Sequence, residues 1–100
     1  MSAKIYNTAE ITFVGAVTDY DVRANYPGLF TSNVNTIDSG EQHVVAMRAS
    51  ADIYLKINDP TDVRFPLYAG EVRSEDKGSI SNIYITTLGA CSVWVQTKRA

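Results

Sequence analysis

The chain has a single cysteine, Cys91, and a single histidine, His43, and each shortage excludes a class of chemistry. One thiol cannot close an internal disulfide, so stability has to come from the core or from partners. One imidazole cannot build a histidine metal cluster, and a structural zinc would need ligands that the chain does not have. Cys91 and His43 form a nucleophile and base pair only on paper. Both fall within strand-like stretches, where Cys91 reads as a small buried apolar residue. Charge of one sign is also scarce: nine Lys and Arg against eleven Asp and Glu leave a net charge of -2, with no basic block. Duplex binding requires a clustered positive footprint, so no nucleic-acid partner is expected. Long apolar runs are missing, and residues 1–4 lack the apolar core of a signal peptide. Neither a membrane span nor export is expected, and the chain reads as soluble, made in the cytoplasm or in a host cytoplasm.

What the chain does have is alternation. In 53–57 (IYLKI), 83–85 (IYI) and 93–95 (VWV) the aliphatic residues fall at every second position, the period of a half-buried strand and not of a helix. Between them stand Tyr54, Lys56, Tyr84 and Trp94. One face of each strand is therefore aliphatic, and the other carries aromatics and a cation. With 100 residues, 45% of them hydrophobic, the chain suffices for one domain burying roughly 65% of its unfolded surface.

Residues 4–18 are rich in β-branched side chains. Ile11, Phe13 and Val17 share a parity, which places Gly15 on the buried side as a bulge or close backbone approach within a strand. From 19 to 40 the pattern dissolves into the turn signal Tyr26-Pro27-Gly28 and a run of small polar residues. A connection of that length is long for a compact domain, so a short strand is expected near 29–31 and another around 34–37. Residues 42–49 carry apolar side chains on both parities, which suits a central strand. Pro60 and its Asn and Asp neighbours end the strand at 52–58, and Pro66 marks 63–68 as a short edge segment. The charged stretch 72–78 reads as exposed. Ile83 and Ile85 begin a strand that 88–90 turns into 91–97, an antiparallel hairpin.

No window shows a helical period over three turns, and turn residues recur roughly every ten positions. The fold class that follows is all-β, a single antiparallel β-sandwich or jelly-roll-like domain of about seven to nine short strands spanning residues 1–100, with 19–40 a long loop or arm within it. Asp19 with Asp21, Asp59 with Asp62, and Glu75 with Asp76 are clusters from which a calcium loop could draw ligands. None has the graded ligand series of such a loop, and they read as solvated turn residues. No catalytic constellation emerges, so no catalytic, metal or cofactor residues are assigned and an enzyme is not expected.

If the strands at 53, 83 and 93 share a sheet, Tyr54, Tyr84 and Trp94 project from one face opposite the aliphatic core. That face is either covered by the long connection as a second core layer or left for a partner, since Tyr and Trp offer large contact area at low entropic cost. Tyr26, Leu29 and Phe30 of the connection join them as candidate interface residues. Sugar stacking on the same aromatics is the remaining reading.

Between residues 44 and 95 stand, in order, 49–58 (ASADIYLKIN), 65–71 (FPLYAGE), 83–87 (IYITT) and 93–95 (VWV). Through these segments the stretch resembles small β-rich virion accessory proteins of tailed bacteriophages, of the capsid decoration or cement type. The resemblance implies a virion structural protein that stabilises a head by binding the capsid surface in many copies. Its partners would then be the major capsid protein or other virion subunits, its state homo-oligomeric and its location the virion. A head-tail neck or tail accessory protein is the nearest alternative, and a small carbohydrate-binding β-sandwich the alternative from another class.

Overall fold

The computed structural model describes residues 6–30 and 42–98, with side chains described at 7–30, 46–74 and 80–97. In chain order the elements are β1 (Tyr6–Phe13), β2 (Val17–Asp21), a one-turn helix α1 (Val22–Asn25), a 3-10 turn (Pro27–Phe30), β3 (Gln42–Ala49), β4 (Ile53–Ile57), β5 (Phe65–Leu67), β6 (Val72–Ile80), β7 (Ile83–Thr87) and β8 (Cys91–Lys98).

The pairing is nested. β4 pairs with β5, β3 with β6, β2 with β7 and β1 with β8, each antiparallel, as in one long hairpin whose tip lies between β4 and β5. Two further antiparallel contacts, β3 with β8 and β4 with β7, roll that hairpin up. The result is two four-stranded sheets of order β1-β8-β3-β6 and β2-β7-β4-β5. Eight antiparallel strands rolled in this order form a jelly roll.

Alternation drives the two sheets together. In β4 the inward residues Ile53, Leu55 and Ile57 are buried while Tyr54 and Lys56 are only half-buried. In β8, Val93, Val95 and Thr97 point inward with no exposure. The first sheet contributes Ile11, Phe13, Met47, Val93 and Val95, and the second Ile53, Leu55, Leu67, Ile83 and Ile85, to one continuous core. Each such side chain contributes roughly 1.5–3 kcal/mol of transfer free energy, so this layer dominates the stability.

As their sequences predict, β3 lies inside its sheet between β8 and β6, and the proline strand β5 sits at an edge with three residues. The charged stretch 72–78 forms most of β6 at a sheet edge, paired with β3, and Val72 and Ser74 are exposed there as expected. Three expectations are corrected. Gly15 lies not in a strand bulge but in the bend between β1 and β2, where the chain crosses from one sheet to the other and the Thr87 hydroxyl donates to its carbonyl at 3.0 Å. β7 and β8 are not a hairpin, because residues 88–90 carry the chain to the opposite sheet. The connection after β2 holds a one-turn helix and a 3-10 turn in place of a strand at 29–31. Leu29 and Phe30 use their apolar side chains in the core there; Thr31 and the expected strand at 34–37 lie outside the described residues.

Leu55 and Ile85 face each other across β4 and β7, both with no exposure. Ile85→Ala is expected to lower the unfolding free energy by about 2–5 kcal/mol through lost transfer energy and a cavity, measured by urea titration.

Candidate interaction surfaces

The residues marked out by sequence divide over three places. Tyr54 and Tyr84 lie on the outer face of the β2-β7-β4-β5 sheet, and Trp94 lies on the outer face of the other sheet, so the single aromatic face expected for them does not exist. The cause is the crossing at 88–90, which puts β7 and β8 in different layers. Leu29 and Phe30 are 2% and 1% exposed, with Tyr26 half-buried beside them.

The outer face around Tyr54 and Tyr84 is neither a second apolar layer nor a bare aromatic platform. Lys56 stands opposite Tyr84, and Tyr54 opposite Thr86. The Arg64 guanidinium covers the Tyr54 ring at 4.2 Å from its centroid, a cation–π contact. Lys56 Nζ donates to Asp19 Oδ2 at 3.1 Å and to the Pro60 carbonyl at 2.8 Å. Asp19, with φ of 49°, turns so that its amide donates to Thr86 Oγ1 at 3.0 Å. Asn82 joins three elements: its Nδ2 donates to Asp21 Oδ1 at 2.8 Å and to the Tyr84 hydroxyl at 3.2 Å, while its Oδ1 accepts from Arg23 N at 2.9 Å. The face is thus tied down by its own polar side chains.

Asp21 also caps α1, its Oδ1 accepting from Ala24 N at 2.9 Å. The hydrogen bond from Ala24, and after it the one from Asn82, holds its carboxyl below the ordinary range. Cys91 is half-buried against the core, and burial pushes its thiol up, so it stays protonated at neutral pH. The side chain of His43 lies outside the described residues. Among the described residues no group of three or more His, Cys, Asp or Glu gathers as metal ligands would.

On the opposite outer face a row crosses three strands: Glu10 of β1, Trp94 of β8 and Arg48 of β3 stand directly opposite one another. They line a hollow of about 410 Å³ together with Ser50, Gly70 and Ser92. Sequence reading named Trp94 but not its neighbours, since only the register of β1 and β3 against β8 brings Glu10 and Arg48 beside it.

A second hollow, of about 330 Å³, opens at the edge of β1 between Thr8, Ala9, Tyr26 and Leu29. Leu29 holds the 3-10 turn against the first sheet through its carbonyl, which accepts from Asn7 Nδ2 at 3.4 Å and from the buried Thr97 hydroxyl. The Arg23 guanidinium lies 5.8 Å from the Phe30 ring centroid. Tyr26, Leu29 and Phe30 therefore brace one side of the sandwich.

No family model and no curated protein matches the chain. Among solved structures it is similar to the Tobacco streak virus coat protein dimer, at 15% sequence identity over 97% of this chain and 86% of that chain, with a TM-score of 0.45. So distant a likeness adds nothing to the jelly-roll topology, which stands on the strand order itself.

Because its native pKa is depressed, the stability that Asp21 contributes is present above the ordinary carboxylate value of about 3.9 and is lost as pH falls through the lowered native value. Asp21→Asn, which keeps a capping oxygen but not the charge, is expected to flatten the fall in melting temperature below about pH 4, followed by circular dichroism.

Proposed function

We propose that this chain is a virion structural protein, acting by assembly and not by catalysis, and that it binds a capsid surface in many copies as a decoration or cement subunit. The observation that carries this reading is the strand order. The rolled double-sheet jelly roll is the architecture of viral capsid domains as well as of lectins and cupins. Here the space between the sheets is filled with aliphatic side chains such as Leu55, Ile85, Val93 and Val95. What is left for interaction is the outside of the molecule: two sheet faces and the strand edges. An all-outside protein suits a role in which surfaces meet surfaces.

The resemblance of residues 44–95 to tailed-phage accessory proteins supports the narrower reading, with the major capsid protein as partner and the virion as location. The described residues supply two surfaces for such contacts. One is the cross-linked polar face of Tyr54, Lys56, Asp19 and Tyr84, whose side chains are already held in place and lose little entropy on docking. The other is the row of Glu10, Trp94 and Arg48.

The glycan-binding alternative keeps one place. Tyr54 is covered by Arg64 and Tyr84 lies on the other sheet from Trp94, so a shared stacking platform is ruled out by geometry, whereas the Trp94 hollow offers an indole between a carboxylate and a guanidinium.

Purified protein mixed with capsids of its cognate virus is expected to cosediment in saturable numbers and to raise their resistance to heat. Saturable cosedimentation with tails alone would favour the neck or tail alternative. No binding to either particle, with tryptophan fluorescence shifting on titration with polysaccharide, would replace the virion reading by the glycan one.

A further inference from the structure

Two four-stranded sheets have four edges, and three of them carry devices that discourage another strand from pairing. β5 is three residues long with Pro66 at its centre. β2 is broken by a register shift between Val17 and Tyr20, where Asp19 adopts its left-handed conformation. β6 carries Arg73, Glu75, Asp76 and Lys77 within nine residues, and its register shifts near Gln42. β1 has none of these. It runs eight residues in unbroken register with β8, without proline or glycine, and Glu10 is its one charged residue. The 3-10 turn packs on its start, at Asn7, and leaves the stretch from Ala9 onward as the outermost strand among the described residues.

A second feature lies at the end of the same strand. Val14, the residue after β1, is 95% exposed, more than any other large apolar side chain among the described residues. At the other end of β1, Thr8 and Ala9 border the hollow shared with Tyr26 and Leu29.

We propose that β1 is a homotypic docking strand: it pairs antiparallel with β1 of a second copy, about a two-fold axis at Ile11, joining two four-stranded sheets into one of eight. Directly opposed residues in an antiparallel pair point to the same side, so a closed two-fold pairing must set one residue against itself. Centring on Glu10 would oppose two carboxylates. Centring on Ala9 would drive the incoming strand into the 3-10 turn at Asn7. Centring on Ile11 avoids both, setting Ala9 against Phe13 and Glu10 against Thr12, whose hydroxyl can donate to the carboxylate. The same register carries Val14 of each copy to the position opposite Thr8 of the other, beside the hollow. The unguarded edge and the exposed valine are thereby accounted for by one arrangement.

The partner is a second copy because the strand complements itself in this register. The inference relies on the virion reading only in treating the chain as an assembly protein, and capsid cosedimentation and self-association are measured separately, so either can fail alone. Sedimentation equilibrium of the full chain is expected to give a concentration-dependent mass approaching twice 11.0 kDa. Thr12→Glu, at an exposed position, sets like charges opposite at two symmetric sites and is expected to raise the dimer dissociation constant about tenfold or more. Val14→Asp should weaken the dimer as well, and both single variants should keep the wild-type circular dichroism spectrum. Adding Glu10→Lys to Thr12→Glu restores opposite charges across the pair, and dimerisation should recover. A wild-type chain that stays monomeric at every concentration, a Thr12→Glu variant that dimerises as wild type does, or a double variant that fails to recover would each overturn the proposal.

Discussion

The structure depends on the burial of one aliphatic face of each sheet against the other. Neither sheet is stable alone, since each has a face of Ile, Val and Leu that water would otherwise surround. Leu55 and Ile85 on one side and Val93 and Val95 on the other have no exposed surface, and every strand but the outermost ones is paired on both edges. Because inward residues alternate with outward ones, a one-residue slip of any inner strand would exchange its oily face for its polar one. The alternation therefore specifies register as well as burial.

That constraint frees the outer faces to differ. Over β2, β7 and β4 the outward side chains bind one another, through the Lys56–Asp19 ion pair, Arg64 on Tyr54 and Asn82 between Asp21 and Tyr84. The ion pair is partly exposed and contributes little alone, but as part of a connected set it fixes where the side chains stand. Over β1, β8 and β3 the row of Glu10, Trp94 and Arg48 surrounds an open hollow. A single sandwich thus offers one stiffened polar face and one open face, with β1 the outermost strand beside the open one among the described residues.

Much of the fold was legible in the sequence because it rests on local patterns. The strands at 53–57, 83–87 and 91–98 follow from alternation, the position of β3 from its two apolar faces, and the edge position of β5 from Pro66. The misread elements are those where local pattern and pairing diverge. Residues 88–90 have the look of a hairpin turn, yet β7 and β8 pair with other strands in different sheets. Helix α1, at four residues, is shorter than the periodicity that would reveal it.

By itself the sequence determined that the chain is all-β, which side of each strand is buried and where most strands stop, because these depend on the order of side chains along the backbone. It did not determine which strands share a sheet. A two-residue or three-residue turn can fold back within a sheet or cross to the other one, and the choice at 88–90 is made by packing over the whole core. That choice separated Trp94 from Tyr54 and Tyr84, set it between Glu10 and Arg48, and left β1 at an edge. Residues far apart in the chain acquire a common surface only when the hairpin rolls up, so the candidate surfaces belong to the tertiary structure.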